Sequence, residues 1–107
     1  MNLNIPIIDT HVHLWDPDKI IYPWLSDYPQ FNKKFDLEDY RQATALINID
    51  SIVFEECSAE RSMAVKEAGW IASLTRDNNI IKGIVARAPL EDGDKVKAVV
   101  EQLIEIP

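Results

Sequence analysis

The sequence predicts an α/β fold in which parallel strands alternate with helices. Two observations predict it: three short apolar runs bounded by turn residues, and helical periodicity in the stretches between them. The first run, about residues 5–14 (IPIIDTHVHL), is rich in β-branched residues and carries a Pro at its start, a position strands tolerate. The second, about 49–57 (IDSIVFEEC), and the third, about 80–88 (IIKGIVARA), have mostly apolar centres, as suits parallel strands covered on both faces.

Helix signals fill the gaps. Asp36 is a candidate N-cap for a helix from Leu37 to about Leu46, with Asp39 favourably placed in its first turn. A longer helix is expected from Ser58 or Ala59 to Arg76. Its positions Ala64, Ala68, Ile71, Ala72 and Thr75 recur at three to four residues, and Asp77-Asn78-Asn79 stops it. Asp94 is the candidate cap of a third helix, where Val96, Val99, Val100, Leu103 and Ile104 form an apolar stripe. The order β-loop-α-β-α-β-α implies right-handed crossovers. Residues 16–34 fit no regular element. They hold three of the six prolines, and two of the three tryptophans lie in or beside them. A long loop of this aromatic content is expected to be functional rather than disordered.

At 107 residues the chain allows one domain at most. Eleven Lys and Arg against 18 Asp and Glu give a net charge of −7, and no basic cluster interrupts it. Such a chain repels phosphate backbones, so nucleic acid is not an expected partner. A single Cys, Cys57, excludes an internal disulfide and a CxxC metal knuckle, and fits a reducing cytoplasm. The N-terminus lacks the basic start of a signal peptide, and no apolar run approaches a membrane span.

The only two histidines of the chain fall in one tripeptide, His11-Val12-His13. Strand side chains alternate faces, so Asp9, His11 and His13 share one side. The two imidazoles then stand about 6.6 Å apart at Cα, close enough to give one nitrogen each to a borderline divalent cation. Imidazole suits Zn, Mn, Fe or Co rather than Ca or Mg. Asp9 can orient an imidazole from behind. An exposed strand pair without a metal explains the same tripeptide, but this pair ends an apolar strand and precedes an aromatic loop, where α/β active sites lie.

Residues 8–17 (IDTHVHLWDP), followed by Tyr22-Pro23-Trp24-Leu25, resemble the opening of the amidohydrolase-related (amidohydrolase 2) metal-dependent hydrolases. Within that group the pattern is most similar to the sugar-lactonase branch of L-fuconolactonase and L-rhamnonolactonase type. Residues 53–57 (VFEEC), 69–72 (GWIA) and 83–90 (GIVARAPL) resemble the branch's second strand, second helix and third strand. The resemblance implies that residues 1–107 are the N-terminal part of a (β/α)8 TIM barrel, its first three βα units, incomplete in this chain. It implies His11 and His13 as ligands of a divalent metal ion, Zn or Mn, and Glu56 as a ligand or proton-transfer group at the end of the second strand. Two adjacent glutamates cannot both point inward, and choosing Glu56 over Glu55 rests on the resemblance. The implied reaction is the opening of a sugar or related lactone by metal-activated water, with a nonoxidative decarboxylase as the enzymatic alternative.

Trp15, Tyr22 and Trp24 fall where a lid over the mouth would be, and such aromatics stack on a sugar ring or form a satellite core under the loop. Arg87 can clamp a substrate carboxylate or pair with an acidic neighbour. Cys57 is expected to be a small buried hydrophobe, and Trp70 a core residue. A barrel of this type needs about 250 residues and eight strands. No His follows residue 13, so the family's later ligands and its late aspartate have no counterpart here. Alone, the chain is expected to be inactive, either as a truncated non-catalytic remnant or as a module that associates with itself or with a chain that completes the barrel.

Overall fold

In the computed structural model, which describes residues 4–107, three strands form one parallel sheet in the order β1-β2-β3. They are β1 (Ile7–Val12), β2 (Ile49–Glu55) and β3 (Ile81–Val85). Each is shorter than its apolar run. The ladder ends at Val12, Glu55 and Val85, and the remaining residues of each run belong to the loops at the carboxyl ends of the strands. The sheet is open, with β1 and β3 at its edges.

The register decides which side chains face where. Val12 lies opposite Phe54, and Phe54 opposite Ile84. Val12, Ile52, Phe54 and Ile81 are buried with Ile71 of helix α2 (Ala64–Leu74) in the core. Burying each of these large side chains stabilises the fold by about 1.5–3 kcal/mol. Val53 points to the opposite face, and register shifts between Ile7 and Ile8, between Asp9 and Val12, and between Ile52 and Val53 interrupt simple alternation along the ladders. Gly83 lies across from Val53, and a Cβ added to it would meet Val53 Cγ1 at 3.4 Å, so both point to that second face.

Helix α1 (Leu37–Ala43) begins where its cap predicts. Asp36 accepts from the Glu38 and Asp39 N–H groups, and Asp39 accepts in return from the Asp36 N–H, a reciprocal capping box. Helix α2 starts later than the periodicity suggests. The Glu60 carboxylate takes the Ser62 N–H and winds Arg61–Met63 into a 3-10 turn before the α-helix begins at Ala64. Asn78 then donates to the Leu74 carbonyl at its far end. For α3 (Val96–Ile104) the expected cap is corrected. Asp94 lies inside a preceding 3-10 turn, and Lys95 stands at the cap position without a side-chain bond.

The long loop is ordered from within. Trp15 and Phe35 exchange backbone hydrogen bonds of 3.0 and 2.9 Å, closing it at its base. Pro23 and Pro29 each open a 3-10 turn, where the lost N–H has no helical partner anyway. Ile20, Tyr22 and Leu25 turn inward to join Leu14 and Leu37 in the core. Trp15, Trp24, Tyr28, Phe31 and Phe35 touch in a closed ring, with neighbouring centroids 4.8–6.4 Å apart.

Candidate functional site

The two imidazoles meet at the carboxyl end of β1. Their rings pack edge-on with centroids 4.9 Å apart, and the two Nε2 atoms are 3.0 Å apart. His13 Nδ1 lies 3.1 Å from the Glu55 carbonyl oxygen. A carbonyl can only accept, so Nδ1 carries the proton there. In the neutral ring Nε2 is then bare, and His11 Nε2–H donates to it. A bare Nε2 held by a backbone carbonyl behind it is the arrangement of a metal-ligating histidine. Two nitrogens sharing one zinc tetrahedrally sit about 3.3 Å apart, close to the separation found. The two imidazoles therefore fit a divalent cation. Two nitrogens are one short of the three protein ligands that a catalytic zinc takes. Among the described residues, no group of three or more His, Cys, Asp and Glu side chains is gathered to hold a metal.

Next to the pair, β2 ends in a turn that three elements hold in place. Glu56 N–H donates to the Val85 carbonyl at the end of β3 (3.0 Å). Cys57 N–H donates to the Glu67 carboxylate of α2 (3.2 Å), and the Cys57 carbonyl accepts from Trp24 Nε1–H of the long loop (2.8 Å). Cys57 Sγ–H points to the Leu14 carbonyl (3.2 Å) and lies 3.7 Å from His13 Nδ1. Ser58 then takes a positive φ of 52° and returns its N–H to the Glu56 carboxylate at 2.6 Å. Burial, with the Glu67 carboxylate next in size, pushes the Cys57 thiol up to about 12. It stays protonated at neutral pH and is a packed donor, not a nucleophile.

This turn and the loop border an open cavity of about 360 Å3, lined by His13, Trp15, Trp24, Glu56, Cys57 and Ser58. Its aromatic wall is pinned. Trp15 Nε1–H donates to the Phe31 carbonyl (3.1 Å), as Trp24 Nε1–H does to Cys57. Both indole N–H groups are therefore spent on backbone, and the tryptophans offer the cavity carbon surface alone. A wall of that kind stacks on a ring but leaves hydroxyls to other partners.

Of the residues singled out in the sequence, the structure gathers His11, His13, Glu56, Trp15 and Trp24, and places two elsewhere. Tyr22 is 4% exposed and packs in the core; its hydroxyl is buried without a partner among the described residues. It is no lid residue, because the loop turns its ring inward between Ile20 and Leu25. Arg87 donates to the Ala59 carbonyl (2.7 Å) and lies 3.6 Å from Glu91, so it ties the end of β3 to the chain after β2 and does not line the cavity. Asp9 is corrected too. Its carboxylate accepts from the His11 backbone N–H and from the Tyr40 hydroxyl, and touches neither imidazole. Sequence reasoning missed Glu67, which is 1% exposed and reaches the Cys57 backbone. Its signal was present: Ala64, Glu67, Ala68 and Ile71 follow one helical stripe, and a carboxylate in such a stripe needs a buried partner.

No helix of the described residues is long and apolar enough to cross a membrane. No family model matches the chain. Over 100 residues, 85% of this chain, it is 29% identical to a Sinorhizobium fredii (strain NBRC 101917 / NGR234) protein described as uncharacterized protein y4mH. Among solved structures it is similar to an amidohydrolase 2 from Bifidobacterium longum subsp. infantis, with a TM-score of 0.58 and 24% identity over 79% of this chain. The chain spans 34% of the length of each of these two proteins. The three-stranded parallel unit thus shares its fold with about a third of an amidohydrolase 2 structure.

Proposed function

We propose that the chain supplies the first three βα units and two metal ligands of a hydrolase of the amidohydrolase type. The observation that carries this reading is the His11–His13 pair, with its Nε2 atoms 3.0 Å apart and His13 Nδ1 tied to the Glu55 carbonyl. When bound, a divalent cation such as Zn or Mn supplies a Lewis acid that polarises a carbonyl and acidifies water. The chain's own residues then divide the remaining work. Glu56, whose carboxylate accepts from the Ser58 N–H at the cavity wall, takes or gives a proton in this reading. Trp15 and Trp24 present a ring-stacking wall beside it. The proposed substrate is a small lactone, opened to its hydroxy acid, whose ring lies against that wall.

A second reading has its own support. Only two imidazoles are brought together among the described residues, and the chain spans a third of its relatives. On that reading the chain alone does not catalyse and completes its site with another polypeptide.

Titrating the chain with Co2+ or Zn2+ tests the first reading, since His11→Ala and His13→Ala should each abolish tight uptake. Unchanged metal retention in both variants would refute it. Assay against sugar-acid lactones and aromatic carboxylic acids, alone and after co-expression with the missing barrel units of a relative, separates lactonase from decarboxylase and an autonomous site from a shared one.

A further inference from the structure

We infer that Glu67 is a positioning residue: from the interior it holds the turn Glu56–Ser58 that backs His13 and carries the carboxylate of the cavity. The inference rests on the reading of the His pair as a ligand site. It starts from an anomaly of placement. Glu67 is a carboxylate on the core stripe of α2, almost wholly buried, where an alanine or leucine would cost nothing to desolvate. Among the described residues no arginine or lysine bonds to it. Its hydrogen-bond partner is one backbone group, the Cys57 N–H.

That partner sits at the junction of the site. The sheet ladder ends at Glu55, so the Cys57 N–H has no strand to accept it and would be an orphan buried donor without Glu67. Around the same residue converge Trp24 through the Cys57 carbonyl, and the chain just after β1 through the contacts of Sγ with Leu14 and His13. One residue earlier is Glu56, and one residue later Ser58 takes the positive φ that lets its N–H close on the Glu56 carboxylate. The Glu55 carbonyl that accepts from His13 Nδ1 is two residues before Cys57. Withdrawing the Glu67 acceptor frees Cys57 to rotate its peptide. It thereby loosens the carbonyl that sets the His13 tautomer, the Glu56 carboxylate and the Trp24 wall together.

The test compares Glu67→Gln, which keeps an acceptor oxygen in place, with Glu67→Leu, which keeps the volume and removes the acceptor. In 15N-labelled metal-free protein, imidazole nitrogen shifts report the His13 tautomer, and Co2+ titration reports the pair's affinity. The wild type and Glu67→Gln should both show the Nδ1–H form and equal Co2+ affinity. Glu67→Leu should show mixed tautomers and an affinity lower by about tenfold, the low end for groups that orient metal ligands. If Glu67→Leu does not fold, Glu67→Asp, whose carboxylate is withdrawn by one methylene, should show the same losses. A pure Nδ1–H tautomer and wild-type affinity in the acceptor-deficient variant would overturn the inference, as would their loss in Glu67→Gln. If the wild type takes up no Co2+, the ligand reading falls while the tautomer comparison still decides the role of Glu67.

Discussion

Replacing Glu67 by glutamine should change how the stability of this chain depends on pH, and the sign follows from burial. Desolvation raises the Glu67 carboxyl from 4.5 to about 7. The Cys57 N–H works against that rise, Glu56 adds to it, and Arg87 opposes it. In the unfolded chain the group loses its proton near its ordinary value, while in the folded chain it holds the proton to about pH 7. The folded state therefore binds more protons between these limits, and stability falls as pH rises through that window. One pKa unit is worth about 1.4 kcal/mol, so a shift of this size costs the folded state about 3 kcal/mol once the pH is above 7. Glutamine keeps the shape and an acceptor for the Cys57 N–H and cannot ionise. Urea unfolding of both proteins, at one protein concentration and at steps from pH 4.5 to 8, is the assay. The wild type should lose stability relative to Glu67→Gln by about 3 kcal/mol across the range, with the two converging at the acid end. In melting temperature the gap at pH 8 should exceed about 10 °C for a chain of this size. Parallel curves, or a gap that widens toward acid, would show that the Glu67 carboxylate is not a buried group titrating near neutrality.

Asp36→Ala removes the reciprocal cap of α1 and should destabilise the chain by about 1 kcal/mol, read as a lower urea midpoint at unchanged slope. Trp24→Phe keeps the ring but loses the bond to the Cys57 carbonyl, at a cost of about 1 kcal/mol, whereas Trp24→Ala should cost roughly 3 kcal/mol because the ring packs on Trp15 and the core. Expressed alone, the chain should run above monomer mass in light scattering, since Leu46, Leu90, Ile104 and Ile8 are each more than 60% exposed and both sheet edges are free. A clean monomer at tens of micromolar would refute that expectation.

What was legible in the sequence was local. The Asp36–Asp39 cap needs four residues, and the shared face of His11 and His13 needs only the strand period of two; both depend on chemistry that the chain carries side by side. The alternation of apolar runs and helical stripes likewise points to the three-stranded parallel α/β unit. The misplaced residues have partners far along the chain. Asp9 bonds to Tyr40, 31 residues away, and Arg87 to Ala59, 28 residues away, so their side chains were committed to contacts that no window of sequence displays. Tyr22 was misread for another reason. A polar tip on an aromatic ring suggests exposure, yet Tyr22 stands just before the Pro23 turn, and its ring packs with Leu14, Ile20, Leu25 and Leu37 in the core.

The paired glutamates show where alternation stops being a guide. By the period of two, Glu55 belongs to the face of His11 and His13, and Glu56 to the opposite face. Alternation holds only while a ladder holds the backbone extended, and here the ladder ends at Glu55. Beyond it the direction of a side chain is set by whatever captures the next peptide groups: Val85 takes the Glu56 N–H, Glu67 takes the Cys57 N–H, and Ser58 closes the turn at positive φ. Those bonds bring the Glu56 carboxylate to the cavity, while the Glu55 backbone carbonyl, rather than its side chain, meets His13. Glu55 thus meets the histidine through its main chain, while Glu56 shares a cavity wall with it and accepts from the Ser58 N–H. Substitutions should separate them: Glu55→Gln leaves the His13 tautomer intact because the carbonyl survives any side-chain change, whereas Glu56→Gln alters the charge at the cavity directly. A shift of the His13 imidazole to the other tautomer in Glu55→Gln would show that the side chain, not the carbonyl, governs the ring.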